Sequence, residues 1–301
     1  MAETKKSLLS LGSNLGNPKK NLVAAIKKID TAEQIKLLQT SLFRKSRPVG
    51  GPTGQHEFMN AAVEVETTLT AEQLLETIQR IEAELGRQRH TRWDARTIDI
   101  DLLTVDDLVV SSPSLTLPHP RMVLRRFVLE PVCDLRPEGH HPETGWSYQT
   151  HLDYLSVAGN YSVTINQSQS KPVPAYLALG QKSEVLVAQS MPVARSTEML
   201  EDSYRALRQW IQHEGFVHCD FAPRECLLNH PEWAGTIDRL EAGLPLPRVL
   251  VILTDNIHNE LRHQLVLKTM PAGIITPWLF LDAANPKSIQ QEIAALATCH
   301  L

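Results

Sequence analysis

A chain of 301 residues, 42% hydrophobic and 21% charged, has the composition of a globular protein able to bury one large core or two smaller ones. Its formal net charge of −4 gives no bulk electrostatic case for nucleic acid or an anionic membrane, so any phosphate recognition must come from a local cluster. The four cysteines, Cys133, Cys219, Cys226 and Cys299, are widely spaced without a C-x-x-C pair and fit reduced thiols better than a disulfide frame or zinc site. The first residues lead straight into a short strand-like run, and no apolar stretch reaches spanning length; the expected location is the cytoplasm.

In chain order, residues 6–11 read as a strand that ends in a Gly/Asn-rich turn, with Asn17 as N-cap and Pro18 at the first helical position. Leu22, Ala25, Ile26 and Ile29 then share a helix face, and residues 35–44 read as a second strand. A Gly/Pro-rich loop covers 46–57. A third strand runs from Phe58 to Thr67, and Thr70 caps a helix over 71–85 that carries Leu74, Leu75, Ile78, Ile81 and Leu85. Arg80, Arg87, Arg89, His90, Arg92 and Arg96 follow in a dense cationic run, and then a strand beginning near Asp99. The order is β-α-β-β-α-β, a ferredoxin-like arrangement, with a short strand pair and helical segments expected over 107–160.

The expected division is a first domain over 1–158, a polar linker over 159–173 and a second domain over 174–301. In the second part, apolar runs at 175–179, 216–221, 248–253 and 277–282 alternate with helical stretches near 194–213, 256–266 and 285–297. That alternation predicts a small α/β domain with a parallel sheet.

The run Trp93-Asp94-Ala95-Arg96-Thr97-Ile98-Asp99-Ile100-Asp101-Leu102-Leu103 carries the chemistry. Residues two apart on a strand face the same way, so Asp99 and Asp101 project side by side while Ile98, Ile100 and Leu102 line the opposite face. Two apposed carboxylates repel unless a cation sits between them, and Mg²⁺ prefers one or two carboxylates plus substrate phosphates. A lone D-x-D is usually a solvated strand face. The arginine run beside this one favours a polyphosphate site.

Residues 5 to about 155 resemble the 6-hydroxymethyl-7,8-dihydropterin pyrophosphokinase family. The resemblance rests on Leu11-Gly12-Ser13-Asn14-Leu15-Gly16, Arg47-Pro48-Val49-Gly50, Phe58-Met59-Asn60-Ala61-Ala62-Val63, Gln79-Arg80-Ile81-Glu82 with Gly86-Arg87, the Asp-x-Asp strand, and Pro118-His119-Pro120-Arg121-Met122 with Arg125 and Phe127. Any one of these is weak; their order and spacing together are specific.

The resemblance implies a transferase of folate biosynthesis that moves a pyrophosphoryl group from ATP to the pterin's hydroxymethyl oxygen and releases AMP. It implies two Mg²⁺ ions on Asp99 and Asp101, with Asp101 relaying the hydroxyl proton and Arg87 and Arg96 neutralising charge on the transferred group. ATP binding falls to Gln79, Glu82, Arg89, Arg92, Trp93, Leu102, Thr116, His119 and Arg125. The pterin falls between Phe58 and Phe127, with Asn60 on its polar edge and Ser46, Pro48 and Val49 presenting loop groups. Alone, Glu82 would read as a helix-surface charge and the two phenylalanines as core. The partners are ATP and the pterin, with no nucleic acid and no membrane. A competing reading keeps the scaffold as a pterin- or nucleotide-binding regulator that has lost turnover; the intact Asp99, Asp101, Arg87 and Arg96 favour the enzyme.

The chain departs from the family pattern at Phe58 and Pro120, where tyrosine is frequent, at Ser114 and His90, where basic residues occur, and at Asp94-Ala95 before Arg96. None of these positions is a metal ligand. The second domain faintly resembles a degenerate P-loop deoxynucleoside kinase. Gly180-Gln181-Lys182-Ser183 echoes the end of a P-loop but lacks its earlier glycine and its Gly-Lys pair. The expectation is a degenerate, non-catalytic kinase-like domain, with an unrelated small α/β domain used for self-association as the alternative.

Overall fold

The computed structural model describes residues 3–49, 54–87, 94–166, 186–189, 194–212, 216–219, 230–255 and 276–298. The chain divides into two compact units, Met1–Tyr154 and Leu155–His300.

In the first unit, β1 (Lys5–Ser13), α1 (Pro18–Asp30), β2 (Ile35–Thr40), β3 (Arg44–Ser46), β4 (Phe58–Thr67), α2 (Ala71–Glu84) and β5 (Asp99–Val105) follow in order. The sheet runs β2-β4-β1-β5, every pair antiparallel, with β3 also on β4. Local chemistry starts both helices where expected. The Asn17 side chain accepts from the Lys20 amide at 3.1 Å, and Thr70 and Gln73 form a reciprocal capping box. Leu9, Leu11, Val63, Ile100 and Leu102 pack on one sheet face against Leu22, Ala25 and Ile29 of α1 and Leu74 and Ile78 of α2. Burying the valine, leucine and isoleucine side chains among these contributes roughly 1.5–3 kcal/mol each.

The strand expected over 35–44 is two strands. Ser41 Oγ accepts from the Ala62 amide at 2.8 Å and Asp134 accepts from the Leu42 amide at 3.1 Å, so side chains replace ladder bonds where the chain bends. Further along lie β6 (Val110–Ser111) paired with β7 (Thr116–Leu117), then α3 (Arg126–Leu135) and α4 (Tyr148–Val157). Helix α3 packs against β4, β1 and β3.

The second unit holds β8 (Gly159–Asn166), β9 (Leu186–Gln189), α5 (Thr197–Trp210), β10 (Phe216–Cys219), α6 (Ala234–Glu241), β11 (Pro247–Thr254), β12 (Trp278–Asp282) and α7 (Pro286–Thr298). Its sheet, ordered β12-β11-β8-β10-β9, is parallel throughout, as the alternating pattern predicted. The linker expected over 159–173 is corrected at its start: residues 159–166 are the central strand. Two of its polar residues, Ser162 and Thr164, are buried and paired inside. His218 on β10 is fully buried, with Nδ1 2.8 Å from Ser162 Oγ and Nε2 3.2 Å from Thr164 Oγ1. Burial pushes its pKa down to about 3, so the ring is neutral there. The run at 175–179, the helical stretch at 256–266 and the P-loop-like Lys182 and Ser183 lie outside the described residues.

Candidate active site

Strand register assembles the site. Gly12 on β1 pairs with Asn60 on β4 and Asp99 on β5, and Asn60 pairs onward with Arg44 on β3. Ser10 pairs with Asp101 and Ala62. Direct cross-strand partners share a face, so Asp99, Asp101, Gly12 and Asn60 all lie on the face opposite the α1/α2 core. Both aspartates are partly exposed, while Ile98, Ile100 and Leu102 are buried behind them.

Asp99 is the electrostatic hub. Arg87 Nη2 lies 2.6 Å from Asp99 Oδ1, and Arg96 pairs with Asp99 Oδ2. Desolvation and the neighbouring Asp101 carboxylate hold the Asp99 pKa above its ordinary value, against the pull of Arg96 and Arg87. That repulsion is what a bound cation would relieve. The donor set fits Mg²⁺: two hard carboxylates on one face, with remaining positions left to phosphates and water. Among the described residues no group of three or more His, Cys, Asp or Glu could hold a metal, so an all-protein cage of softer type is absent there.

Glu82, expected among the ATP ligands, faces inward and is 2% exposed. Its Oε1 accepts from the Ile100 amide at 2.6 Å and pairs with Arg87. Burial pushes its pKa up to about 7, opposed by Arg87 and by the Ile100 amide. The carboxylate therefore ties the C-terminal turn of α2 to β5 and holds Arg87 against Asp99. Leu102, another expected ATP residue, is 4% exposed within the core. Its side chain is turned away from solvent into that core, and its backbone lies on β5 at the end of the sheet order.

The other expected residues fall as follows. Gln79 is exposed on α2, close to one helical turn before Glu82. Thr116 lies on β7, and the His119 amide donates to the Leu103 carbonyl at 2.8 Å, which fixes that segment along β5. The Arg125 guanidinium lies over the Phe127 ring at 5.6 Å and that of Arg96 over Phe58 at 5.9 Å. Both phenylalanines are half-buried, not core residues. Asn60 is 3% exposed and donates to Ser46 Oγ at 2.8 Å, while Pro48 and Val49 follow half-buried on the same loop. Arg89, Arg92 and Trp93, with His90, lie outside the described residues.

Asn14, in the turn that ends β1, has a role that motif spacing does not assign. Buried to 3%, it donates through Nδ2 to the His56 carbonyl at 3.2 Å and Gln55 Oε1 at 3.3 Å, and its Oδ1 accepts from the Arg96 amide at 2.8 Å. One amide thus joins the loop after β3 to the loop before β5. An amide after a strand-ending glycine was the available signal, but which loops it would reach depends on the fold.

The family model for 7,8-dihydro-6-hydroxymethylpterin-pyrophosphokinase matches residues 8–137. A 2-amino-4-hydroxy-6-hydroxymethyldihydropteridine pyrophosphokinase of Haemophilus influenzae is 41% identical over 127 residues, covering 42% of this chain and 79% of the relative. The enzyme of the same name from Pseudomonas aeruginosa is 36% identical over 135 residues, covering 45% of this chain and 83% of the relative. A crystal structure of Plasmodium falciparum HPPK-DHPS aligns with a TM-score of 0.41 at 12% identity, over 84% of this chain and 69% of that one, too distant to bear on fold or function. On the two curated relatives, each covered over most of its length, the chain belongs to the 7,8-dihydro-6-hydroxymethylpterin-pyrophosphokinase family.

Proposed function

We infer that the chain carries out the reaction of its family, transfer of the pyrophosphoryl group of ATP to 6-hydroxymethyl-7,8-dihydropterin in folate biosynthesis, with Mg²⁺. The observation that carries the site assignment is the register row that sets Asp99 beside Gly12 and Asn60, with Arg87 and Arg96 converging on Asp99. The ferredoxin-like name for the first unit is part of this reading, supported by the antiparallel order β2-β4-β1-β5 with two helices on one face.

The pterin lies against Phe58 and Phe127, with its polar edge on Asn60 and on the segment from Ser46 through Pro48 and Val49. Its hydroxymethyl oxygen attacks the β-phosphorus, the bond from that phosphorus to the α–β bridging oxygen breaks, and AMP leaves. Asp101 takes or relays the hydroxyl proton. Arg87 and Arg96 turn from Asp99 toward the phosphates, where a guanidinium fork matches charge growing on the transferred group. Asp99 and Asp101 would hold two Mg²⁺ ions, which would supply charge neutralisation to the phosphates and a lowered pKa to the attacking alcohol. Gln79, Thr116, His119, Arg125, the Leu102 backbone and the loop residues Arg89, Arg92 and Trp93 make the nucleotide side. Glu82 acts through Arg87.

For the second unit, the parallel sheet is compatible with a degenerate nucleoside-kinase-like domain, and its role in this reading is association and not phosphate transfer. Release of AMP on mixing the chain with ATP, Mg²⁺ and the reduced hydroxymethylpterin tests the assignment. A folded chain that yields no AMP under these conditions sinks it in favour of a binding protein without turnover.

A further inference from the structure

We infer that Gly12 is a specificity-determining residue: its missing side chain leaves open the floor on which a flat bicyclic heteroaromatic crosses β1 between Asn60 and Asp99. The inference rests on the pyrophosphokinase reading and adds a residue to it. Glycine inside a strand weakens that strand, so its presence calls for a cause. Backbone conformation does not supply one, because Gly12 is absent from the positive-φ glycines and pairs regularly with both neighbours. Crowding does not supply one either. A Cβ built there meets nothing nearer than Asn60 Oδ1 at 3.4 Å and the Phe58 ring at 3.8 Å, which are ordinary van der Waals contacts.

What remains is space above the strand. Gly12 is half-buried, so this face is reachable, and the two side chains nearest its absent Cβ are the ring and the amide expected to hold the pterin. Its partner on the other side is Asp99, the metal-type carboxylate. A planar ligand that stacks on Phe58 and reaches toward the phosphates must pass over Gly12. A strand glycine at such a place marks close approach of a ligand to backbone. A methyl group would lift the ring and turn its hydroxymethyl arm away from the β-phosphorus, at no cost to the empty protein.

The test uses the full chain. Gly12→Ala should leave the melting temperature unchanged or raise it by about 1–3 °C, and should keep the affinity for a non-hydrolysable ATP analogue within about twofold. It should weaken binding of 6-hydroxymethylpterin by about tenfold, and Gly12→Val by about a hundredfold. In the wild-type protein, nuclear Overhauser effects should connect the Gly12 α-protons to the bound pterin, a readout that needs no variant. If the wild type binds pterin but Gly12→Ala binds it equally well, or the Gly12 contacts are missing, the inference falls and the function stands. If the wild type binds no pterin at all, the function falls and takes the inference with it.

Discussion

At the residue scale, the proposed chemistry rests on Asp99, Asp101 and the two guanidiniums on Asp99. Both carboxylates sit on a partly exposed strand face, so replacing either by alanine opens no core cavity. Asp99→Ala or Asp101→Ala should lower turnover by about two orders of magnitude or more with an unchanged melting temperature. Near-normal turnover in Asp101→Ala would remove the two-metal assignment. A second expectation follows from the pairing of Asp99 with Arg87 and Arg96 in the ligand-free protein. Those cations compete with a metal for the same oxygens until phosphates draw them off. Arg96→Ala should therefore bind Mn²⁺ about 3–10 times more tightly than wild type without nucleotide, read by electron paramagnetic resonance. Unchanged or weaker Mn²⁺ binding would show that Arg96 does not guard the carboxylate.

At the element scale, Glu82 clasps α2 to β5 from a buried position. Its folded-state pKa of about 7 lies above the ordinary carboxyl value, so protonation favours the fold. That contribution is fully present at pH below the ordinary value and is lost as pH rises through the folded one. Glu82→Gln keeps an oxygen for the Ile100 amide but cannot ionise. Between pH 5 and 7 the unfolding free energy of Glu82→Gln should gain on that of wild type as pH rises, because the opposing contribution of Glu82 is gone, and its turnover should fall because Arg87 loses a partner. Urea titrations at the two pH values read the gain; a difference from wild type that stays constant would rule out Glu82 as its source. The helix starts at Asn17 and Thr70 were legible because capping is local. The break between β2 and β3 was not, because Asp134, which holds the Leu42 amide, is far along the chain.

At the scale of the whole molecule, acid should unfold the chain from both units. His141 and His151 in the first unit and His218 in the second are buried, and burial pushes their pKa values down to about 3, 4 and 3. A base with a depressed folded-state pKa contributes stability that is present above its ordinary value of 6.5 and is lost as pH falls toward the folded one. Each histidine can withdraw about 1 kcal/mol by pH 5.5, so the melting temperature should drop between pH 7.5 and 5.5. His218→Asn should reduce that drop if the second unit unfolds in the same transition; a drop as large as in wild type would assign the sensitivity elsewhere. The break between α4 and β8 is where the chain can be divided. A fragment of residues 1–158 should keep pyrophosphokinase turnover, since every described residue of the site lies within it. The complement must begin at or before Gly159, because β8 is the middle of its sheet, and it should phosphorylate no deoxynucleoside. Loss of turnover in a folded 1–158 fragment, or kinase activity in the 159–301 fragment, would reverse these assignments.

Legible in the chain alone were the first unit's elements apart from the break between β2 and β3, the shared face of Asp99 and Asp101, the parallel character of the second sheet and the family. These follow from periodicity, caps and motif spacing, which are properties of neighbours along the chain. The fold alone shows that Glu82 and the Leu102 side chain point inward, that Asn14 joins two loops, and that residues 159–166 form a central strand and not a linker. Each of those depends on a partner brought from elsewhere in the chain: Ile100 for Glu82, Leu9 and Leu11 for Leu102, His56 and Arg96 for Asn14, and His218 for Ser162 and Thr164. A polar side chain reads as solvated until its buried partner is known, and sheet register is what supplies that partner.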